Sequence, residues 1–263
     1  MPEGDTVWRT AARLHQVFAD RPLTECDLRW PGPSTHDFTG ATTLEVVPRG
    51  KHLLHRLVGG WTIHSHLRME GSWRVEPTDA APPPRATKVR AVLATAAYRA
   101  VGWSLGMLDV VRTADEGTLV GHLGPDLLGP DWDLEAAVAR LRASDAPLAA
   151  ALLDQRNLAG LGTMWTAEAL FVEGLDPFAP AASLDADTLG ALLNRAQRLL
   201  RASCASAVPT STGSTRPGDA TYVHGRRHRP CRRCGTLVRM EFVGPPTQRR
   251  TLYFCPRCQA PAT

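Results

Sequence analysis

Four of the six cysteines in this 263-residue chain are spaced as metal ligands: Cys231-x2-Cys234, twenty residues, then Cys255-x2-Cys258. Each knuckle presents two soft thiolates, and two knuckles complete the four-sulfur tetrahedron of a structural zinc site. With all four positions taken by protein, none is left for water, so one zinc ion is expected to hold structure rather than to react. The interval GTLVRMEFVGPPTQRRTLYF reads as two strands around a Gly-Pro-Pro turn, a β-hairpin finger. Unligated or redox cysteines are the alternative. Cys26 and Cys204 lie far away in sequence and read as small buried hydrophobes, while His224 and His228 are surplus to a complete site. Regulators that bind nucleic acid carry similar knuckles, so the finger alone does not make an enzyme.

A second feature is Ala159-Gly160-Leu161-Gly162 between two helical patterns, LLDQRNL and MWTAEALFVEG. Glycines there can take positive φ and bring backbone N–H groups close to a phosphate at the positive end of the second helix. A tight packing turn accounts for the same residues equally well.

Charge points the same way. Residues 222–263 hold nine arginines, one acid and no lysine, a side-chain balance of +8, whereas the whole chain is only +4. The rest is therefore net acidic, and a basic module on such a body suits an anionic partner, foremost nucleic acid. Lys51 and Lys88 are the only lysines among thirty basic residues. No run of about 18 apolar residues offers a membrane span. MPEGDTVWRT has no apolar stretch of a secretory signal, so a cytoplasmic, nucleoid-associated location is expected, where clustered cysteines favour metal over disulfides.

The elements that must position these residues change character along the chain. Asp5 or Thr6 is expected to cap a helix with the stripe Val7, Ala11, Leu14 and Phe18, ending near Arg21-Pro22. From Leu23 to about Val120 come short apolar runs broken by Pro and Gly: HLLHRLVGG, WTIHSHLRM, GSWRVEP, VRAVLATA and MLDVVRT read as strands, with Pro82-Pro83-Pro84 as an exposed loop. After GHLGPDLLGPDWD the period turns helical in DLEAAVARLRA, PLAAALLDQRNL, MWTAEALFVEG and DADTLGALLNRAQRLLRASCA. In the last, Leu189, Leu192, Leu193, Ala196, Leu199 and Leu200 face inward, and Arg195, Arg198 and Arg201 read as a solvated face. The expected class is α+β multidomain: an N-terminal all-β domain with a leading helix (1–124), a helical domain (125–215), and the finger (222–263), with Ser211 to Gly218 as linker.

Taken in order, PEG at the N-terminus, RGKH (Arg49 to His52), HLRMEG (His66 to Gly71), LLDQRNLAGLG and the four-cysteine finger resemble the formamidopyrimidine-DNA glycosylase/endonuclease VIII family from Pro2 to Gln259. The resemblance implies a β-sandwich, a helix–two-turn–helix domain and a zinc finger, with damaged DNA, double- or single-stranded, held between them. It implies a DNA glycosylase/AP lyase of base excision repair, working as a monomer. Pro2, after removal of Met1, is implied as the nucleophile. An α-amine has a pKa of about 8 against about 10.4 for lysine, so more of it is unprotonated at neutral pH, and a secondary amine can form an iminium with C1′ of the sugar. Glu3 is implied as the acid/base, Lys51 as a phosphate contact that assists at the lesion, and Arg250 as the finger arginine, with Arg249 leaving the register open by one. Without the other motifs, Pro-Glu-Gly would read as a frayed terminus.

HLRMEG matches the element that fills the hole left when a nucleotide leaves the duplex, an extrusion required because C1′ is inaccessible in the stack. Met69 is the expected wedge, Arg68 or Glu70 touches the orphaned base, and His66 bonds backbone nearby; Met69 in the core is the alternative. Arg99 falls where some relatives place an arginine against the opposite base. Gly160, Gly162 and Thr163 are the expected phosphate-binding turn. Three positions depart from the family pattern: Thr6 in place of an acid, Thr163 in place of an asparagine, and Val101 where the formamidopyrimidine branch has an aromatic wedge. Val101 leans towards the endonuclease VIII side or single-stranded substrates, and with the Ser211–Gly218 linker, short for a lesion-capping loop, towards oxidised pyrimidines. Thr6 and Thr163 instead give weight to an inactive binder. Two rival readings stand beside the enzyme: an inactive damaged-DNA-binding protein of the same fold, and a zinc-finger regulator.

Overall fold

The computed structural model describes residues 2–81, 86–206 and 208–260. Met1 and the expected Pro82-Pro83-Pro84 loop fall outside them. The chain forms two compact units, residues 1–122 and 123–263.

The first unit opens with helix α1 (Gly4–Phe18), which buries the expected Val7, Ala11, Leu14 and Phe18, with Val17 beside them. Glu3, rather than Asp5 or Thr6, takes the cap position, and Asp5 is buried inside the first turn. The helix stops at Phe18, earlier than expected, because Ala19 is extended and Asp20 has φ +60°.

Eight strands follow: β1 (Glu25–Leu28), β2 (Thr43–Arg49), β3 (His52–Leu57), β4 (Trp61–His66), β5 (Ser72–Pro77), β6 (Val89–Ala94), β7 (Tyr98–Trp103) and β8 (Met107–Arg112). They build two antiparallel four-stranded sheets, ordered β1-β6-β7-β5 and β2-β3-β4-β8. Leu28, Ala91, Leu93 and Ala100 of one sheet share a core with Leu53, Leu57, Ile63 and Leu108 of the other, and α1 packs into it. That is a β-sandwich. Side chains alternate across a strand, so β3, β4 and β8 turn their remaining residues to the opposite face, among them His52, Arg56, Thr62, His64, His66 and Asp109. A short helix, α2 (Gly117–Val120), ends the unit.

The second unit contains the four expected helices: α3 (Leu134–Arg142), α4 (Leu148–Leu153), α5 (Thr163–Glu173) and α6 (Ala186–Cys204). Asp133 and Asp185 cap α3 and α6, their carboxylates accepting the N–H of Ala136 at 2.9 Å and of Thr188 at 2.7 Å. The finger hairpin is β9 (Arg239–Val243) and β10 (Arg250–Phe254), joined by Gly244-Pro245 and a single turn of 3-10 helix. The hairpin is not an appendage. Val238, Leu252, Cys231 and Cys255 belong to the same core as Leu152, Trp165, Phe171, Leu189 and Leu193. The segment 211–218, expected as a linker, is tied by its own hydroxyls, Thr210 to the Ala220 carbonyl and Thr212 to that of Asp219.

Candidate functional site

Pro2 is half-buried at the mouth of α1, and Glu3 at the cap position is 3% exposed. The Glu3 carboxyl group stands at the helix N-terminus, the positive end of the helix dipole. Asp5 sits buried one residue into the same helix, so this turn holds a second acid although Thr6 is not one.

Gly50 and Lys51 are the two-residue connection between β2 and β3, with Gly50 at φ +58°. Lys51 therefore stands at a hairpin tip, fixed by the register Arg49↔His52. His52, just after it, stacks near His64 and meets His66 edge to face at 4.7 Å between ring centres. Burial pushes the His52 imidazole down to about 3, with the neighbouring histidines and Arg68 adding to the shift, and pushes His66 down to about 4 with help from the charges of Arg68 and Lys51. Both rings are neutral at neutral pH.

The loop after β4 carries the other expected residues. Leu67 is buried, and its carbonyl accepts the Gly71 N–H at 2.8 Å, closing a turn that throws Met69 outward to 64% exposure. The alternative of Met69 in the core is thereby removed. Arg68 adopts φ +54°, its N–H donating to His66 Nδ1 at 2.9 Å. His66 thus accepts from the backbone of its own turn. The Arg68 side chain lies on Gly106, where an added Cβ would come within 2.0 Å of Arg68 Cγ. Glu70 is exposed beside Met69.

Arg99 is not placed to read a base. It is 8% exposed on β7, donating to the Thr78 carbonyl at 3.1 Å and more weakly to those of Ala80 and Ala81, with Glu76 at 3.4 Å. A guanidinium spent on three carbonyls and a carboxylate is a structural clamp, and the opposite-base expectation fails there. Val101 is buried in mid-strand, out of reach as a wedge.

In the second unit, Gly160 takes φ +103°, a conformation closed to ordinary side chains, whereas Gly162 is extended and caps α5. Thr163 is the first residue of that helix and is buried. The turn is built by Gln155, whose amide donates to the carbonyls of Leu153 and Leu161 and whose Oε1 accepts the Gly160 N–H at 3.1 Å. The α5 N-terminus remains an anion-favouring end by its dipole.

The sequence reading missed Glu168. Fully buried in α5, its carboxylate accepts the N–H groups of Tyr222 at 2.7 Å, Val223 at 2.9 Å and His224 at 2.7 Å, and the Ser211 hydroxyl. The signal was a lone acid in the apolar run MWTAEALF, since an isolated charge is buried only when several donors meet it. Glu168 thereby anchors the chain leading into the finger.

The four thiols Cys231, Cys234, Cys255 and Cys258 lie within 4.8 Å of one another. Cys231 and Cys258 sulfurs are 3.9 Å apart, and those of Cys234 and Cys255 3.4 Å. A tetrahedron with metal–sulfur bonds of 2.3 Å has edges of about 3.8 Å, so this cluster could hold a metal ion. Arg249 and Arg250 are both exposed, at the turn and at the first residue of β10. Cys26 and Cys204 are half-buried and separate from the cluster, and burial pushes the Cys26 thiol up to about 11.

Comparison with known proteins agrees with this geometry. Residues 1–105 match the formamidopyrimidine-DNA glycosylase N-terminal domain and residues 123–214 the formamidopyrimidine-DNA glycosylase H2TH domain. The chain is 51% identical to a probable endonuclease 8 2 of Streptomyces coelicolor, over 99% of this chain and 94% of that one. It is 46% identical to the DNA-(apurinic or apyrimidinic site) lyase Nei2 of Mycolicibacterium smegmatis, over 98% and 99%. Among solved structures, the Lactococcus lactis Fpg in complex with abasic-site DNA shares the fold at a TM-score of 0.84 and 22% identity, over 99% and 100%. The chain therefore belongs to the formamidopyrimidine-DNA glycosylase/endonuclease VIII family.

Proposed function

We propose that this DNA glycosylase/AP lyase of base excision repair removes oxidised bases through a Schiff base on Pro2 and then cuts the strand by β- and δ-elimination. The observation that carries the reading is the N-terminus. Pro2, whose nitrogen becomes a free amine once Met1 is removed, stands directly before a buried acid, Glu3, at the start of α1. The freed Pro2 nitrogen attacks C1′ and passes its N–H proton to Glu3. The C1′–base and C1′–O4′ bonds break, Glu3 handing that proton to the departing base or to O4′ and water supplying the other, and an iminium is left. Loss of a C2′ proton then expels the 3′ phosphate, and loss of a C4′ proton expels the 5′ phosphate. Lys51 and Arg250 hold phosphates through these steps, Met69 fills the vacated stack, Arg68 or Glu70 meets the orphaned base, and the Gly160–Thr163 turn holds backbone phosphate. Phosphate dependence of this kind makes binding fall steeply with salt.

The ion we assign to the cysteine cluster is zinc, on donor set and sulfur spacing, and its task is to hold the finger. One chain carries every group named, so the enzyme is taken to act as a monomer, on chromosomal DNA in the cytoplasm. Oxidised pyrimidines are the favoured lesions. Val101, buried in mid-strand, does not support that preference, which rests on the shortness of the Ser211–Gly218 segment.

Borohydride trapping on an oligonucleotide with an abasic site tests the mechanism. A covalent adduct that disappears when a non-removable extension blocks Pro2 is the expected result. Binding to the abasic site with neither adduct nor strand cutting would establish the inactive-binder reading instead.

A further inference from the structure

We propose that Asp109 acts at a distance on Lys51: through His64 it fixes the polarity of a hydrogen-bonded histidine pair and makes His52 a positioning residue with an acceptor nitrogen at the root of the Lys51 turn. This rests on the role given to Lys51 above.

The chain of contacts crosses three strands on one sheet face. Asp109 Oδ2 lies 2.9 Å from His64 Nδ1, and His64 Nε2 lies 2.8 Å from His52 Nδ1. The strand register puts Asp109 directly opposite His64 and His52 directly opposite His66. A carboxylate only accepts, so His64 must carry its proton on Nδ1. Burial keeps His64 below its ordinary value despite the pull of Asp109, so the ring is neutral and its Nε2 is bare. The proton in the second bond therefore belongs to His52 Nδ1. A neutral His52 protonated there has an unprotonated Nε2.

A pair of neutral histidines can bond with either polarity, and nothing in the pair itself chooses. Asp109 chooses. Reversed, the same bond would leave His52 with an N–H in place of a lone pair. The difference matters because the corner is already rich in donors. Lys51 and Arg68 both bring positive charge to His66, and His66, which accepts from the Arg68 N–H on Nδ1, carries its own proton on Nε2. The polarity of the pair thus decides whether this corner, next to the Lys51 turn, gains an acceptor or one more N–H. The other charged groups on this side are accounted for separately: Glu116 takes two guanidinium bonds from Arg56 and one from the Thr62 hydroxyl, and Glu45 takes a third from Arg56. His122 approaches His52 only at 6.4 Å between rings.

The side chain of Asp109 is 39% exposed, so replacing it does not open a core. The test uses the full-length protein, as wild type, Asp109→Leu and Asp109→Glu. Nitrogen-15 NMR of the histidine rings in wild type should show His52 protonated on Nδ1 only. In Asp109→Leu the two His52 tautomers should mix, and Asp109→Glu should restore the single form. On abasic-site DNA, kcat for strand cleavage should fall about tenfold in Asp109→Leu with KM within about twofold, and recover in Asp109→Glu. His52 protonated on Nε2 in wild type, or Asp109→Leu with unchanged tautomers and unchanged kcat, would overturn the proposal. The NMR result stands apart from catalysis. The expected tautomers in a protein that forms no borohydride adduct would leave the relay intact and remove the Pro2 mechanism.

Discussion

Met69 shows how much a single side chain's position decides. A methionine at a strand end usually fills space, but here the Leu67–Gly71 turn buries Leu67 and leaves Met69 in solvent. Met69→Ala should therefore change unfolding free energy by no more than about 0.5 kcal/mol. It should slow excision from duplex DNA more than from single strands, where no stack has to be refilled. Equal slowing on both would remove the wedge role. Arg99→Ala should do the reverse, lowering thermal stability because three carbonyls and a carboxylate lose their donor, with little change in DNA affinity. Buried histidines give the first unit its pH response. His52 and His55 are pushed down to about 3 and His66 to about 4, all by burial first, against 6.5 in the unfolded chain. Between these values the unfolded state binds the extra proton, so each ring's contribution is complete above about pH 6.5 and is lost as the pH falls. The loss is about 1.4 kcal/mol per pH unit for each ring. His55, bonded to the Thr43 hydroxyl at 2.8 Å, isolates one such term. His55→Gln should flatten the slope of stability against pH between 6 and 4, and an unchanged slope would remove His55 from the account.

At the scale of elements, legibility followed period and locality. Helices α3 and α6 were readable because their apolar stripes and their caps Asp133 and Asp185 lie within a few residues of each other, whereas α4, expected through Leu158, stops at Leu153. The finger was readable because ligand spacing is a local constraint. Strands β1, β2 and β7 were not singled out: ECDL and TLEVVPR mix acids, Pro and Arg with short apolar runs, and β1 becomes a strand only by pairing far along the chain, Glu25 with Ala94. The Asp109–His64–His52 chain was invisible for the same reason. Its members are 12 and 45 residues apart and meet only through the register of three strands. Arg99 misled because its position matched a family pattern while its strand turns it inward. The α4–α5 turn gives a test at this scale. Gly160 at φ +103° cannot take a side chain without strain, whereas the backbone of Gly162 is extended, a conformation any residue adopts. Gly160→Ala should cost about 1 kcal/mol or more and weaken DNA binding. Gly162→Ala should be milder in stability, and equal costs would show that the turn does not depend on its left-handed residue.

Over the whole molecule, the cysteine cluster is a folding constraint as much as a binding site. Its sulfurs sit in the same core as α4, α5 and α6, and Glu168 on α5 holds the backbone of Tyr222, Val223 and His224 just ahead of the first knuckle. Among the described residues, no helix is long and apolar enough to cross a membrane. With an ion held by the four thiols, order inside the second unit would rest on two tethers: the buried carboxylate, which stays when metal is withdrawn, and the ion, which does not. Four thiolates cannot crowd together without a cation, so stripping the metal should protonate the cysteines and release the knuckles first. Hydrogen exchange on the full-length protein after chelation should therefore speed up through 229–258 while the amides of 222–224 stay protected on Glu168. Binding to abasic-site DNA should fall with the exchange, because Arg249 and Arg250 lose the hairpin that presents them. In Glu168→Gln the order inverts: amides 222–224 exchange early with the metal still bound. Chelation that leaves exchange through 229–258 unchanged would mean that the hairpin is held by its apolar contacts alone, and that the four thiols are not a metal site the fold depends on.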